Sequence, residues 1–173
     1  MKEFGGQPLF LDRNDINTDE IIPAKYLTEN SKEALKPHIL EDLQLGDFDA
    51  EKDIAGKNII VTKANFGCGS SREHAVWVFE VNGINVVIAE SFARIFRQNM
   101  FNCGMLAIEL PKEEIDTLFA LGPDISIKVD TEHNLISAEN QQGNSLSITF
   151  SMNEFDRELV QVGGWLAYAD KKY

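Results

Sequence analysis

The sequence predicts a sharp turn at Asn65-Phe66-Gly67-Cys68-Gly69-Ser70-Ser71-Arg72-Glu73-His74, a polar segment with two glycines. The preceding residues 58–63 are β-branched and apolar, which is typical of a buried strand. In the following residues 75–81, apolar side chains recur at helical spacing until Asn82-Gly83 ends the pattern. The segment is therefore a predicted strand-to-helix turn. The unpaired N–H groups and the positive dipole at the start of the helix favour an anion there.

Strand and helix patterns alternate outward from this turn. The alternating segments are 58–63, 72–82, 84–89, 91–102 and 105–110. Strands that alternate with helices pair in parallel through right-handed crossovers, so these segments predict a parallel βαβαβ unit. An apolar run at 8–11 predicts one more strand.

The alternation of strand and helix patterns ends after a short helix predicted between Pro111 and Gly122. Three β-rich segments, 125–129, 134–138 and 145–150, are separated by polar turns and predict antiparallel strands. A capping-box pattern at Ser151-Met152-Asn153-Glu154 predicts a final helix through Val162. The expected fold is α/β, with the parallel unit and antiparallel strands in a single domain over residues 1–173.

Two segments lack a clear pattern. Residues 12–20 are almost entirely polar and predict a loop. Residues 28–57 show only a possible helix over 31–43, which Pro37 interrupts. Long stretches with so little regular structure usually serve function, so 28–57 is predicted to be a mobile loop or lid.

The composition narrows the possible partners. A formal net charge of -12 and a pI near 4.6 argue against nucleic acid or an anionic membrane surface as a partner. No apolar run approaches the length of about 20 residues that a membrane span needs. The N-terminus shows no targeting pattern, and the two cysteines form no C-x-x-C pair, so we expect a cytoplasmic chain without a metal site. An anionic substrate would have to be bound by a few well-placed arginines.

The central turn allows more than one interpretation. Ser70-Ser71-Arg72-Glu73 fits a capping box, in which Ser70 would serve only the helix. Cys68 and His74 could form a thiolate and its base. Neither nucleotide fingerprint is present, because position 72 is arginine where a small residue is needed and no Gly-Lys-Ser/Thr follows.

Three motifs together identify a family resemblance. They are the 65–74 segment, Ala89-Glu90-Ser91-Phe92-Ala93-Arg94-Ile95-Phe96, and Asn17-Thr18-Asp19-Glu20-Ile21-Ile22-Pro23. In this order they resemble the small subunits of the aconitase-type hydro-lyases, most closely those of the 3-isopropylmalate dehydratases. The resemblance implies a swivelling β/β/α domain that docks onto a large subunit carrying a [4Fe-4S] cluster. It also implies isomerisation of a 2-hydroxy dicarboxylate by dehydration and rehydration, as in leucine biosynthesis.

The resemblance also assigns roles to residues. Ser70 would be the general base, Ser71 and Arg72 would bind a substrate carboxylate, and Asp19 would orient a catalytic group. The iron of the partner would act as a Lewis acid on the leaving hydroxyl group. Thr28 follows Tyr26-Leu27, where relatives acting on longer tricarboxylates carry arginine, so a small or apolar substrate arm is expected.

Several alternatives remain open at this point. Dimethylmalate, homocitrate or homoaconitate, and citrate are other substrates of related hydro-lyases. A protein of another class, an anion-binding assembly module, could keep the helix-end site without chemistry. A cysteine-dependent hydrolase would need Cys68 rather than Ser70.

Overall fold

The computed structural model describes residues 2–173 and shows an α/β fold with two four-stranded sheets. Within these residues the strands are β1 (Gly5–Gly6), β2 (Pro8–Leu11), β3 (Ile59–Thr62), β4 (Val86–Ala89), β5 (Leu106–Glu109), β6 (Ile125–Asp130), β7 (Leu135–Asn140) and β8 (Ser145–Thr149). The α-helices are α1 (Thr18–Ile21), α2 (Lys32–Leu35), α3 (Ala50–Asp53), α4 (His74–Val81), α5 (Arg94–Asn102), α6 (Lys112–Ala120), α7 (Glu154–Val162) and α8 (Trp165–Lys172). Short 3₁₀ turns lie at Ala24–Tyr26 and Lys36–His38.

The first sheet is parallel, with the strand order β2-β3-β4-β5. Every residue of β3 and β4 is buried, as expected for strands that are covered on both faces of the sheet. This burial explains why both strands are continuous apolar runs rather than alternating ones. The carboxyl ends of β2 and β3 meet at one edge, since Leu11 pairs with Thr62.

The second sheet is antiparallel, with the strand order β1-β6-β7-β8. Its strands alternate as expected for a sheet with one solvated face: Ile125 and Ile127 are buried, whereas Ser126 and Lys128 are exposed. Apolar side chains from both sheets pack into one core. The predicted combination of a parallel βαβαβ unit with antiparallel strands is confirmed.

Three details of the sequence prediction were wrong. The polar run 12–20 contains the start of α1, because Asn17 and Glu20 form a reciprocal capping box. Helix α7 is capped by Asn153, whose side chain accepts a hydrogen bond from the Asp156 amide, and not by Ser151. It is also not the final helix, since Gly163 (φ 96°) and the following glycine turn the chain into α8.

The segment 28–57 packs more closely than its composition suggested. Leu35, Ile39, Leu40, Leu43 and Ile54 are buried in the core. The predicted interruption at Pro37 is present, because α2 ends at Leu35 and the chain continues as a 3₁₀ turn. The mobility of this segment stays a prediction.

Leu35→Ala tests whether the segment is firmly packed. Leu35 has no exposed surface, so the variant should lose about 2–4 kcal/mol in the free energy of unfolding, measured by urea denaturation. The matched control is Leu166→Ala, in which an 81% exposed side chain is shortened at a cost below about 0.5 kcal/mol. A loss of less than about 1 kcal/mol for Leu35→Ala would favour a loosely held loop.

Candidate active site

The chain continues beyond β2 and β3 as two irregular segments that run side by side, and we call residues 13–19 and 64–70 the paired loops. They are joined by three main-chain hydrogen bonds and by three in which a side chain takes part. The main-chain bonds run from Asp15 N to Ala64 O (2.9 Å), from Gly67 N to Ile16 O (2.8 Å) and from Thr18 N to Cys68 O (2.8 Å). The others run from Ala64 N to Asn14 Oδ1 (2.9 Å), from Asn65 Nδ2 to Asp15 Oδ1 (2.9 Å) and from Ser70 N to Thr18 Oγ1 (3.1 Å). The pairing brings Asp19 beside Ser70 and Arg72.

Gly67 fixes where the second of these loops runs. Its φ is +82°, and a Cβ built on it would lie 2.2 Å from Cγ of Phe96. Phe66 beside it is buried and packs edge-on against Phe96, with ring centroids 5.4 Å apart. The backbone therefore lies directly against an aromatic ring of α5, and only glycine fits at this position.

Gly67→Ala should be strongly destabilising, because the added Cβ meets a packed ring in addition to the unfavourable φ. Gly83→Ala is the matched control: its φ is +74° and nothing lies within 4 Å of the built Cβ. The control should lose about 1–2 kcal/mol of unfolding free energy, and Gly67→Ala about 1–3 kcal/mol more, both measured by urea denaturation. Equal losses of unfolding free energy in the two variants would show that the Phe96 ring moves aside to accommodate the added Cβ.

Three side chains form a continuous polar chain at the end of the paired loops. Arg72 donates from Nε to Ser70 Oγ at 2.6 Å and from Nη1 to Asp19 Oδ1 at 2.6 Å. The side chain of Arg72 is only 14% exposed, whereas that of Asp19 is 65% exposed and Ser70 also faces solvent. The carboxylate thus holds the guanidinium, and the guanidinium holds the serine hydroxyl.

The capping-box interpretation of Ser70 is wrong. Helix α4 begins at His74, and its N-cap residue Glu73 has an αR backbone and makes no side-chain cap hydrogen bond. The predicted start at residue 72 was two residues too early. Ser70 instead lies on the approach to the helix, where its amide donates to Thr18 Oγ1 and its hydroxyl accepts from Arg72.

The remaining predicted site residues lie at different distances from this chain of contacts. Ser71 is exposed next to it, and its carbonyl oxygen accepts a hydrogen bond from Asn99 Nδ2 at 3.3 Å. Thr28 is exposed in a separate loop. Within residues 2–173, no hydrogen bond or ion pair joins Thr28 to the other predicted site residues.

Residues that the sequence analysis missed support the site. Thr18 is buried and accepts the Ser70 amide, and Asn99 is buried and holds Ser71. Thr18 lies in the motif over residues 17–23, but its role depends on its contact with the amide of Ser70 in the 64–70 loop, which the sequence alone does not show. Arg13 forms a two-pronged ion pair with Glu20 and also donates to Gln44 O, so it ties the first loop to the 28–57 segment.

The hydrogen bond and charge of Arg13 hold the pKa of the Glu20 carboxyl below its usual range. A lowered native pKa stabilises the fold above the unfolded value of about 4.3, and this stabilisation is lost as the pH falls through the native pKa. Glu20→Gln removes the charge but keeps the acceptor for the Asn17 amide.

The difference in unfolding free energy between wild type and Glu20→Gln should therefore be greatest near neutral pH and should shrink as the pH falls below about 4.3. Urea denaturation between pH 7 and pH 3 measures it. Glu158 is exposed and has no ion pair within residues 2–173, so Glu158→Gln should differ from wild type by a small amount at every pH. A constant Glu20→Gln difference would contradict the pKa assignment.

The cysteines do not have the character of nucleophiles. Burial, with the negative charge of Asp15, raises the pKa of the Cys68 thiol, and burial raises that of Cys103 to about 11. The ring of His74 is directed to the carbonyl oxygen of Glu29, 3.3 Å from Nε2. These contacts argue against a thiolate with His74 as its base.

Among residues 2–173, no group of three or more histidine, cysteine or acidic side chains could hold a metal ion. No helix formed by these residues is long and apolar enough to cross a membrane.

Comparison with known proteins places this geometry in a family. The family model of the aconitase C-terminal domain matches residues 11–113, a range that contains both paired loops, α4 and α5. The chain belongs to the aconitase C-terminal domain family. Among curated relatives, the 3-isopropylmalate dehydratase small subunit of Deinococcus deserti is 40% identical over 90% of this chain and 81% of its own length. The 3-isopropylmalate dehydratase small subunit of Pseudoalteromonas translucida is 38% identical over 78% of this chain and 73% of its own length.

A solved structure extends the likeness to the whole fold. The 3-isopropylmalate dehydratase structure from Methanocaldococcus jannaschii superposes with a TM-score of 0.79 at 30% identity, covering 98% of this chain and 94% of that one. The predicted aconitase-type swivelling fold is thereby confirmed. The chain is a homologue of 3-isopropylmalate dehydratase small subunits, which are parts of a hydro-lyase.

Proposed function

We propose that the chain is the small subunit of a hydro-lyase that converts 2-isopropylmalate to 3-isopropylmalate by dehydration and rehydration. The contact chain from Asp19 through Arg72 to Ser70 is the observation that carries the proposal. The names of the relatives supply the reaction. In the cell, the chain would act in the cytoplasm as part of leucine biosynthesis.

Ser70 is the proposed general base. A neutral hydroxyl is a weak base, but a charged N–H donor at 2.6 Å stabilises the alkoxide form of its oxygen. Ser70 Oγ would take a proton from one substrate carbon while the hydroxyl group leaves the neighbouring carbon. In rehydration it would return the proton to the carbon that lost the hydroxyl group, and water would add at the other, which gives the isomer.

Arg72 and Ser71 are the proposed ligands of a substrate carboxylate. Nη2 of Arg72 has no hydrogen-bond partner within residues 2–173, so donors remain for an incoming carboxylate. The exposed hydroxyl of Ser71 lies next to it in the chain. Asp19 takes up part of the guanidinium charge, so its proposed role is to orient Arg72 rather than to bind substrate.

The site needs a second subunit for chemical reasons. Ser70, Ser71 and Asp19 are exposed, whereas an alkoxide base requires a cavity from which water is excluded. The donor set of residues 2–173 does not fit an iron-sulfur cluster, and both thiols have raised pKa values. We therefore assign the [4Fe-4S] cluster, and activation of the leaving hydroxyl group, to a large subunit.

The substrate assignment rests on the loop that carries Thr28. A short side chain there leaves room for a small apolar substrate arm, and isopropylmalate or dimethylmalate offers such an arm. Homocitrate and citrate carry a further carboxylate, for which this loop provides no arginine.

Ser70→Ala tests the base directly. In a complex with a cluster-bearing large subunit, the variant should lose about 10²–10⁴-fold in kcat for isopropylmalate, because it loses the proton acceptor. Assembly, measured by size-exclusion chromatography, should be unchanged. The matched control is Ser137→Ala, which removes an exposed hydroxyl on β7 of the other sheet and should keep wild-type activity.

The same assay separates the alternatives. Wild-type complex should prefer isopropylmalate or dimethylmalate over homocitrate and citrate. Complex formation without turnover of any of the four would favour an anion-binding assembly module. Near-normal turnover by Ser70→Ala together with loss of activity in Cys68→Ser would favour a cysteine-dependent enzyme.

A further inference from the structure

Residues 23–29 form a compact loop that presents Leu27 and Thr28 to solvent. Successive tight turns shape the loop. Its hydrogen bonds run from Tyr26 N to Pro23 O, from Leu27 N to Ala24 O and from Glu29 N to Tyr26 O, each 3.1 Å long. We call these residues the 23–29 loop.

Tyr26, in the middle of the loop, contacts two residues further along the chain. The Tyr26 hydroxyl donates to Glu41 at 2.7 Å, and the Tyr26 ring stacks on His38 with centroids 3.9 Å apart. These contacts fix the loop to residues 36–41. They do not relate it to Ser70 or Arg72.

A different contact ties the end of the loop to the site. Nε2 of His74 lies 3.3 Å from the carbonyl oxygen of Glu29, and because a carbonyl oxygen only accepts, Nε2 carries the proton. His74 is the first residue of α4 and lies two positions after Arg72. Its ring packs on Trp77 at a centroid distance of 4.6 Å, which restricts its rotation.

Lys32, a few residues after the loop, also contacts α4. Lys32 Nζ donates to Glu80 at 2.7 Å and lies 5.6 Å from the ring centroid of Trp77. His74, Trp77 and Glu80 are spaced three residues apart and so follow one side of α4. The segment after Thr28 is thus attached to α4 at both its first turn and its last.

We propose that His74 is a positioning residue, which holds the 23–29 loop at a fixed place relative to Ser70 and Arg72. The proposal deepens the proposed function and rests on it for the assignment of Thr28 to the substrate site. His74 does not touch the reacting atoms. It couples the segment that carries the base to the loop that meets the variable arm of the substrate.

The coupling predicts an effect on substrate binding rather than on the chemical step. Without this hydrogen bond the 23–29 loop would spend part of the time away from α4. The apparent affinity for substrate would then fall in proportion to the fraction of time that the loop is in place. Losing a net hydrogen-bond contribution of about 1 kcal/mol shifts the loop equilibrium by about fivefold, so KM should rise by about two- to fivefold. The value of kcat should change by less than about twofold, since Ser70 and Arg72 keep their contacts.

Two substitutions separate the hydrogen bond from the ring packing. His74→Phe keeps an aromatic ring against Trp77 but has no donor. His74→Gln has an amide donor that can reach Glu29 O but no ring. The matched control is His133→Phe, which changes an exposed histidine that bonds to Asp130 in the antiparallel sheet.

Two measurements decide the proposal. The first is KM and kcat for isopropylmalate in the assembled complex. The second is the rate of tryptic cleavage after Lys25 and Lys32 in the chain without a partner, because these lysines flank the end of the loop. We expect His74→Phe to raise KM about two- to fivefold and the cleavage rate by up to about fivefold. His74→Gln and His133→Phe should stay close to wild type in both measurements.

The outcomes distinguish this inference from the proposed function. A fall in kcat with unchanged KM, or identical behaviour of His74→Phe and His74→Gln, would overturn the positioning role. If the wild-type complex is inactive, the proposed function fails. The cleavage rates then still decide whether His74 holds the loop, because unchanged cleavage in His74→Phe overturns that role.

Discussion

The hydrogen bonds between the paired loops are the constraint on which the rest of the site depends. Two parallel strands leave the sheet at the same edge, and six hydrogen bonds between their continuations keep these together. One of these acceptors is the hydroxyl of Thr18, which is buried and cannot turn to water. The pairing of the loops therefore brings Asp19 to the segment that carries Ser70 and Arg72, and the ion pair between Asp19 and Arg72 then holds the guanidinium in place.

Charge pairing explains how an acidic chain keeps a cationic group in place. Arg13, Arg72, Arg97 and Arg157 all form ion pairs, and Arg97 reaches the buried Asp156 at 3.3 Å. A partly buried guanidinium with a carboxylate beside it keeps a fixed orientation. The acidic composition thus restrains the arginines as well as repelling anions, so the proposed binding of a carboxylate depends on the arginine donors that these ion pairs do not use.

Much of the fold could be predicted from the sequence, because its signals are local. The continuous apolar runs of β3 and β4 and the alternation in β6 reflect burial on two faces and on one. Helix ends were less reliable, since Ser70 and Ser151 both match a cap pattern and neither caps a helix. Spacing shows that a hydroxyl could reach an amide, but competing partners such as Arg72 decide whether it does.

The sequence motifs named candidate site residues but could not show the contacts that join them. The motifs pointed to Asp19, Ser70 and Arg72, and the structure brings these three together. Thr18, Asn99 and His74 act through contacts with residues 28 to 52 positions away, which no local pattern contains. Asn17 and Glu20 show the opposite case, because their capping box was visible in a run that looked like a loop.

Asp19 and Arg72 are 53 residues apart in the chain, and their contact has a consequence for folding. Closing so long a loop costs entropy before any contact across it is gained, so such pairs form late and only with the elements that carry them. The contact requires both β2 and β3 in register, together with the glycine that lies against α5. In a partly folded chain Arg72 would still lie two residues from Ser70, but Asp19 would not yet be there to orient it, so the three side chains come together only when the parallel sheet is complete.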